Sequence, residues 1–154
     1  MTIGKVRSFG EGCACPFNSL TKILLKSLVL GPRELALVDT DAGIEHLGRG
    51  VEEGCDAIVV VADPTADALV LARDLKDFSQ SHGKRFWLVL NKATSRVVGR
   101  VERKASEVGL EVDGVISFDE EVFESCLEGG PLRANTATRD VEAILRKAGL
   151  LGSS

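Results

Sequence analysis

Residues 57–62 read Ala-Ile-Val-Val-Val-Ala and lead directly into Asp63-Pro64-Thr65, and this stretch decides the fold class. An apolar run without polar alternation, ended by turn-forming residues, is typical of a strand buried on both faces of a parallel sheet. Similar runs recur at Glu34–Val38, Arg85–Asn91 and, more weakly, Gly114–Ser117. We therefore predict parallel strands at these places, and Thr2–Arg7 is a weaker candidate for an opening strand because Gly4 interrupts it.

Segments with helical period lie between these runs. Apolar residues recur in them every three or four positions, as on the buried face of a helix. The segments are Leu20–Leu28, Ala68–Phe78, Val97–Val108 and Val141–Ala148. Thr94 or Ser95 is a suitable N-cap for the third helix, which Gly109 should end, and Thr138 and Gly149 should bound the last one. The alternation predicts a single α/β domain over residues 1–154, with a mostly parallel sheet and helices on both faces.

Composition supports a compact domain and argues against several classes of partner. The 154 residues are 44% hydrophobic and 27% charged, which is a globular balance. The net charge of −4 and the low aromatic content, with six Phe, one Trp and no Tyr, argue against nucleic acid as a partner. No apolar run has the length of a membrane span or a secretory signal, so we expect a cytoplasmic protein whose cysteines stay reduced.

Ligands of parallel sheets bind at the carboxyl ends of the strands, which directs attention to the residues after each run. Asp39 follows the apolar run Glu34–Val38, and Gly43 lies four positions after Asp39. The acid suits a water-bridged Mg²⁺ and the glycine lets a backbone N–H approach a terminal phosphate, although an ordinary strand-to-helix turn explains the pair about equally well. Asn91-Lys92 closes another strand, where an amide can bond the edge of a purine. Thr94 stands where guanine-specific sites carry Asp, which favours adenine.

A Cys-x-Cys pair, Cys13-Ala14-Cys15, precedes Pro16. Two thiols two residues apart can point the same way in an extended segment. They provide half of a tetrahedral site, and a two-fold dimer would provide the other half, which suits Zn²⁺ or, less well, Ni²⁺. The alternative is that both cysteines are small apolar residues in a turn, and the pair taken alone favours that alternative.

Three motifs together resemble one family of nucleotide-dependent accessory proteins. They are Gly12-Cys13-Ala14-Cys15-Pro16, the segment Val38-Asp39-Thr40-Asp41-Ala42-Gly43-Ile44-Glu45-His46-Leu47-Gly48-Arg49-Gly50, and Asn91-Lys92. Their order and spacing are similar to those of the CooC-type ATPases that help load nickel into carbon monoxide dehydrogenase, in the MinD/ParA/nitrogenase iron protein branch of P-loop NTPases.

The resemblance implies a SIMIBI-type P-loop NTPase fold and a set of roles for particular residues. Asp39 would serve Mg²⁺ and, with Gly43, lie near the γ-phosphate. Cys13 and Cys15 would bind metal at the interface of a homodimer, which raises the metal interpretation above the structural one. Asn91-Lys92 and the loop Ser117-Phe118-Asp119 would lie beside adenine.

The sequence departs from that family in one respect. The 154 residues contain no G-x-x-x-x-G-K-[ST] motif, since Gly4-Lys5 and Gly83-Lys84 lack both the upstream glycine and the following hydroxyl residue. We therefore expect the chain to correspond to the C-terminal part of a MinD/CooC-like nucleotide-binding domain, an incomplete P-loop fold. Without a phosphate cradle, we expect weak or no binding of ATP or ADP with Mg²⁺ and no hydrolysis by the chain alone.

Three hypotheses about function are open at this point. The chain is one half of a split ATPase for nickel-enzyme maturation, completed by a separate phosphate-loop chain; or a non-catalytic homodimer that binds metal through Cys13 and Cys15; or a regulatory scaffold for a full-length relative. In the resembled family the strand that carries the phosphate loop neighbours the one that ends in Asp39. The split-enzyme hypothesis therefore predicts an open edge along Glu34–Val38, and pairing on both sides would count against it.

Overall fold

The computed structural model describes residues 23–32, 34–40 and 54–151, and its centre is a parallel sheet. The strands are β1 (Ala57–Ala62), β2 (Arg85–Ala93) and β3 (Gly114–Ser117), in the spatial order β1-β2-β3. Both pairings, β1 with β2 and β2 with β3, are parallel. The predicted α/β class is therefore confirmed, and the architecture is consistent with a P-loop NTPase-like fold.

Helices follow each of these strands. They are α1 (Ala66–Ser81), α2 (Ser95–Glu107), α3 (Glu120–Glu128) and α4 (Thr136–Lys147), and residues 23–27 are also helical. The hydroxyl of Thr65 caps α1 by accepting a hydrogen bond from the Ala68 N–H at 3.2 Å. The predicted glycine stops are confirmed, because Gly109 and Gly149 follow α2 and α4 with φ of 75° and 70°, a conformation that glycine adopts freely.

The hydrophobic core lies between the sheet and the first two of these helices. Leu88 and Leu90 of β2 are fully buried, as are Ala72 of α1 and Ala105 of α2. These side chains belong to one cluster, so α1 and α2 cover the same face of the sheet. The small alanines let both helices approach the central strand closely.

Helix α4 covers the opposite face of the sheet at β3. Side chains alternate along a strand, so Val89 lies on the face away from Leu88 and Leu90. Gly114 is its register partner on β3. A Cβ added at Gly114 would lie 2.5 Å from Cγ1 of Ile144 in α4, so glycine allows this close contact. Helices therefore lie on both faces, as predicted.

The predicted strand Glu34–Val38 is wrong. Residues 34–40 belong to no strand, and Leu35 and Leu37 are 55% and 82% exposed. A strand persists only when a neighbouring backbone satisfies its N–H and C=O groups, and no described segment pairs with this one. Neither side of Glu34–Val38 is therefore paired within the described ranges. Thr2–Arg7, the weaker strand candidate, lies outside the described residues.

Two boundaries and one helix also differ from the prediction. Strand β2 continues past Asn91 to Ala93, and α4 begins at Thr136 rather than after Thr138. Helix α3 was not predicted, because its nine residues carry no long apolar stripe and depend on the capping described below. Within the part of the chain that the structure describes, no helix has the length and apolar character needed to cross a membrane.

Candidate functional site

A cleft opens at the carboxyl edge of β2 and β3, where parallel sheets place their ligands. Its volume is about 560 Å³, which is within the range of small-molecule sites. Its walls come from the residues after β2, from the end of β3 and from the first turns of α3 and α4. The lining residues are Ala93, Thr94, Ser95, Ser117, Phe118, Asp119, Glu120, Glu121, Asn135 and Thr136.

Asp119 organises this cleft through both of its carboxylate oxygens. Oδ1 accepts a hydrogen bond from the Glu121 N–H at 3.0 Å. Oδ2 accepts hydrogen bonds from the N–H groups of Asn135 at 3.0 Å and Ala137 at 2.9 Å. A single side chain therefore caps the N-terminus of α3 and also holds the start of α4 beside it.

These donors stabilise the ionised form of the Asp119 carboxylate. The Ala137 N–H lowers the pKa most, burial opposes it, and the N–H groups of Asn135, Val122 and Glu121 lower it further, so the pKa lies below the usual 3.8. Because both oxygens already accept backbone hydrogen bonds, the carboxylate serves as a structural anchor here. Its contact with adenine stays a prediction.

Phe118 presents an aromatic ring to the cleft. The side chain is 42% exposed, and its ring centroid lies 6.1 Å from that of Phe123 at an interplanar angle of 42°. The neighbouring Ser117 is fixed by its N–H, which donates to Oδ2 of Asp140 in α4 at 2.8 Å. An exposed ring on an anchored backbone is a suitable surface for stacking a flat base.

Asn91 and Lys92 lie at an irregularity in β2. The register with β3 shifts between Leu90 and Ala93, and Lys92 has a φ of 52°. That left-handed conformation costs a non-glycine residue about 1–2 kcal/mol. Nζ of Lys92 lies 3.4 Å from Oδ2 of Asp63 at the end of β1, and both side chains are more than half exposed. Neither Asn91 nor Lys92 lines the cleft, although both lie at the same edge of the sheet.

Several residues of the cleft were not singled out from the sequence as site residues. Asn135 Nδ2 donates to both carboxylate oxygens of Glu121, at 3.0 and 2.9 Å. Asn135 lies 16 residues beyond Asp119 and reaches the cleft through the hydrogen bond from its own N–H to that carboxylate. No local pattern marks it. Thr94 and Ser95 directly follow β2 and line the cleft. The sequence indicated both as N-cap candidates, and Thr94 as a sign of adenine preference, but it indicated neither as a lining residue.

The remaining predicted residues are not brought together with this cleft. Asp39 is exposed and does not line it. Gly43, Cys13 and Cys15 lie outside the described residues. Within residues 23–32, 34–40 and 54–151, no group of three or more His, Cys, Asp or Glu side chains is placed to hold a metal ion. The Mg²⁺ role of Asp39 and the thiolate site therefore stay predictions.

Comparison with known proteins finds two proteins named as ATP-binding and one accessory protein of an enzyme. No family model matches the chain. An uncharacterized ATP-binding protein of Methanocaldococcus jannaschii is 38% identical over 148 residues, covering 96% of this chain and 59% of that protein. A second uncharacterized ATP-binding protein of the same organism is 33% identical over 147 residues, covering 94% and 57%. The carbon monoxide dehydrogenase accessory protein CooC of Rhodospirillum rubrum is 30% identical over 155 residues, covering 97% and 59%.

These similarities extend over nearly the whole chain, yet the chain spans only about three fifths of the length of the curated relatives it matches. They support the resemblance to CooC- and MinD-like ATPases that the sequence motifs indicated. The names of the first two relatives describe those proteins as ATP-binding.

Proposed function

We propose that the chain provides the base-binding side of an ATP site in an accessory protein for nickel-enzyme maturation, similar in role to CooC. The observation that carries the proposal is the cleft of about 560 Å³ at the carboxyl edge of β2 and β3. Similarity to ATP-binding proteins over 96% of the chain supports a nucleotide as its ligand. We assign the contacts to adenine from the side chains that line this cleft.

Adenine would stack on Phe118, the exposed ring of the cleft. The hydroxyls of Thr94 and Ser95 and the amide of Asn135 line the same cleft and can both donate and accept hydrogen bonds. Asn91 and Lys92 remain our predicted contacts to the purine or its sugar. The left-handed backbone of Lys92 supports this assignment, because strained conformations persist mainly where a function or the surrounding structure maintains them.

The phosphates require a structural element that this sequence does not provide. The 154 residues contain no phosphate-loop motif. In the described sheet β1 is an edge strand, and its Val59 and Val61 are 50% and 57% exposed, whereas parallel strands are normally buried. Among the described residues no strand pairs with the other side of β1, and an edge with unpaired backbone groups suits strand addition. We assign the phosphate loop to a separate chain that pairs with β1, with Asp39 and Gly43 serving Mg²⁺ and the terminal phosphate.

The metal part of the proposal rests on Cys13 and Cys15. Two chains would contribute four thiolates, a tetrahedral donor set for Zn²⁺ or Ni²⁺ at a homodimer interface. The 30% identity with CooC supports a nickel enzyme such as carbon monoxide dehydrogenase as the recipient. The second candidate function is a non-catalytic, homodimeric metal-binding protein or a regulatory scaffold for a full-length relative. The missing phosphate-loop motif favours it, and it requires no nucleotide.

Calorimetric titration with adenosine, AMP, ADP and ATP in the presence of Mg²⁺ separates these functions. If the chain binds only the base side, all four ligands should bind within about threefold of each other, because phosphates add little without a cradle of N–H groups. Guanosine should bind roughly tenfold more weakly, since its polar edge mismatches the site. Affinity that rises steeply from adenosine to ATP would show an unrecognised phosphate site, and no binding at all would favour the second candidate.

A matched pair of variants locates the base. Phe118→Ala should weaken adenosine binding by about tenfold or more, the usual effect of losing a stacking ring. Phe123→Ala removes the neighbouring exposed ring, which does not line the cleft, and should leave the affinity unchanged. Equal losses in the two variants would contradict stacking on Phe118.

The metal assignment has its own test. Sedimentation with and without Zn²⁺ should show metal-dependent dimers that a Cys13→Ser/Cys15→Ser variant does not form. Occupancy should fall as the pH falls, because thiolates must lose their protons to bind metal. Identical association with and without metal in both proteins would mean that the cysteine pair is structural.

A further inference from the structure

Helix α3 presents an exposed apolar strip, formed by Phe123 and Leu127. The two residues are four positions apart, so their side chains are neighbours on one side of the helix. They are 56% and 76% exposed. The exposed thiol of Cys126 lies three positions from Phe123, at the border of this strip. Large apolar side chains grouped at a surface are typical of interaction sites.

An acidic strip runs along the apolar strip on the same helix. It consists of Glu120 and Glu124, which are exposed and lie three positions before Phe123 and Leu127. Neither carboxylate forms an ion pair or accepts a hydrogen bond among the described residues. Because like charges four positions apart repel each other, this pair is unfavourable until a cation faces it. Glu128 is not part of the strip, since it already pairs with another residue of the chain.

Hydrogen bonds on the other side of α3 hold the helix in place. Ser125 is buried, and its Oγ donates to the C=O of Glu121 at 2.6 Å and accepts from the N–H of Arg133 at 3.0 Å. The amide of Asn135 donates to the Glu121 carboxylate, and Asp119 caps the first turn. A helix of nine residues is marginal by itself, so these contacts maintain it. The two strips are therefore formed before a partner arrives, which lowers the entropy cost of binding.

We propose that α3 docks a basic amphipathic segment of a different protein. Apolar side chains of that segment would cover Phe123 and Leu127, while its Lys or Arg side chains face Glu120 and Glu124. The net charge of −4 also favours the approach of a positive partner. Anionic lipid and nucleic acid are excluded by the same charges, and two copies of α3 meeting at a two-fold axis would bring like charges together. The proposal requires neither the nucleotide nor the cysteine pair of the proposed function.

A titration with synthetic peptides tests the chemistry of the partner. The probe is a fluorescent helical peptide in which leucines four positions apart lie beside lysines, and its binding is followed by anisotropy. It should bind saturably and about tenfold or more tighter than two controls, the same peptide with glutamates for lysines and a scrambled peptide of equal composition. Its affinity should fall between about 50 and about 500 mM NaCl, since salt screens exposed charges. No binding, or equal binding of the three peptides, would overturn the proposal.

Matched variants locate the contact on α3. Phe123→Ser/Leu127→Ser should weaken binding of the lysine peptide by about tenfold or more, whereas Val70→Ser, at a position that is 58% exposed on α1, should not change it. Glu124→Lys should weaken binding of the lysine peptide and strengthen binding of the glutamate peptide, and Glu142→Lys on α4 should do neither. Circular dichroism checks that each variant is folded. Equal effects of the variants and their controls would contradict docking on α3.

Cys126 reports occupancy of the surface in the wild-type chain. At a peptide concentration of about ten times Kd, alkylation of Cys126 by iodoacetamide should slow by about tenfold, while Cys55, outside α3, keeps its rate. Mass spectrometry measures both rates, and a bound peptide that leaves Cys126 unprotected would overturn the proposal. Sedimentation distinguishes a second copy as the occupant. If the wild type self-associates and Phe123→Ser/Leu127→Ser does not, the surface belongs to a dimer and the proposal is wrong.

Discussion

The two ends of the sheet are built differently. At the β3 end, the Asp119 carboxylate accepts backbone hydrogen bonds from the starts of two helices, and Gly114 lets α4 lie directly on the strand. At the β1 end, Val59 and Val61 are half exposed, and an exposed pair between Lys92 and Asp63 spans the strand ends. The β3 end is stabilised by its own chain, whereas the β1 end presents apolar surface suited to a further element.

Both ends contain apolar strands, so the hydrophobicity of the strands does not explain the difference. The ends differ in how the backbone groups beside the strands are hydrogen-bonded. Backbone N–H groups at a helix start need acceptors, and one buried carboxylate meets that need at the β3 end. An exposed ion pair contributes little stability, so the Lys92–Asp63 contact cannot replace such an anchor. We therefore expect substitutions at the β3 end and at the β1 end to differ in their effect on stability.

The largest effect is expected at Asp119. Asp119→Ala should lower the Tm by roughly 10 °C, because both helix starts lose the acceptor for their N–H groups. Asp119→Asn keeps one acceptor oxygen and should fall between this variant and the wild type. Glu120→Ala, at the exposed neighbouring position, is the control and should change the Tm by about 2 °C or less. Thermal unfolding followed by circular dichroism measures all three, and equal losses for Asp119→Ala and Glu120→Ala would contradict the anchor.

The same anchor should depend on pH in a defined direction. The pKa of Asp119 is lower in the folded chain than its usual value of 3.8. Its stabilisation is therefore fully present above the unfolded pKa and is lost as the pH falls through the folded pKa. The stability difference between the wild type and Asp119→Asn should shrink in urea titrations between about pH 6 and about pH 2. A difference that grows towards acid pH would show that the sign is wrong.

Replacing glycine by alanine should lower the free energy of unfolding at Gly114 and raise it at Gly99. Gly114→Ala places a Cβ against Ile144 and should cost about 1–3 kcal/mol of unfolding free energy through overpacking. Gly99 lies inside α2 with open space around it, so Gly99→Ala should stabilise the protein by about 0.5–1 kcal/mol. Urea titration measures both, and the Gly114→Ala cost should be smaller in an Ile144→Ala background. Equal effects at the two glycines would mean that α4 is not packed tightly on β3.

A smaller effect should come from the strained backbone at Lys92. Lys92→Gly should be more stable than Lys92→Ala by about 1 kcal/mol, because only glycine adopts a φ of 52° without a steric penalty. Both variants remove the exposed contact to Asp63, so their comparison isolates the backbone. If the strain serves nucleotide binding, both should also bind adenosine more weakly. Equal stability of the two variants would show that the backbone relaxes there.

The sequence predicted well the strands and helices whose apolar pattern matches the face that they bury in the core. The apolar runs at Ala57–Ala62 and Arg85–Asn91 pair with each other, and the stripes of α1 and α2 cover them. Glu34–Val38 is also an apolar run, but no strand of the described residues pairs with it. A strand needs a second backbone, and no residue in the run reveals whether one is present. Periodicity identifies a segment that is able to form a strand, while pairing decides whether it does.

The candidate site was predictable only in part for a similar reason. Ser117, Phe118 and Asp119 follow a strand, so the rule for carboxyl ends found them. Asn135 comes from the far side of a loop and is held there by the Asp119 carboxylate. That contact joins residues without any shared pattern, so it becomes visible only in the folded chain.

The smallest effect is expected on the open face of β1, and it gives the closest comparison between the two environments. Val61 and Val89 are register partners on the same face of the sheet, yet they are 57% and 3% exposed. Val61→Thr should change the free energy of unfolding by about 0.5 kcal/mol or less, since its hydroxyl stays in water. Val89→Thr buries the same hydroxyl and should cost about 1–3 kcal/mol. Urea titration of the two variants measures the difference directly. If Val61→Thr costs as much as Val89→Thr, this face of β1 is covered in solution; if it is neutral alone but weakens binding of a phosphate-loop chain, that chain covers this face of β1.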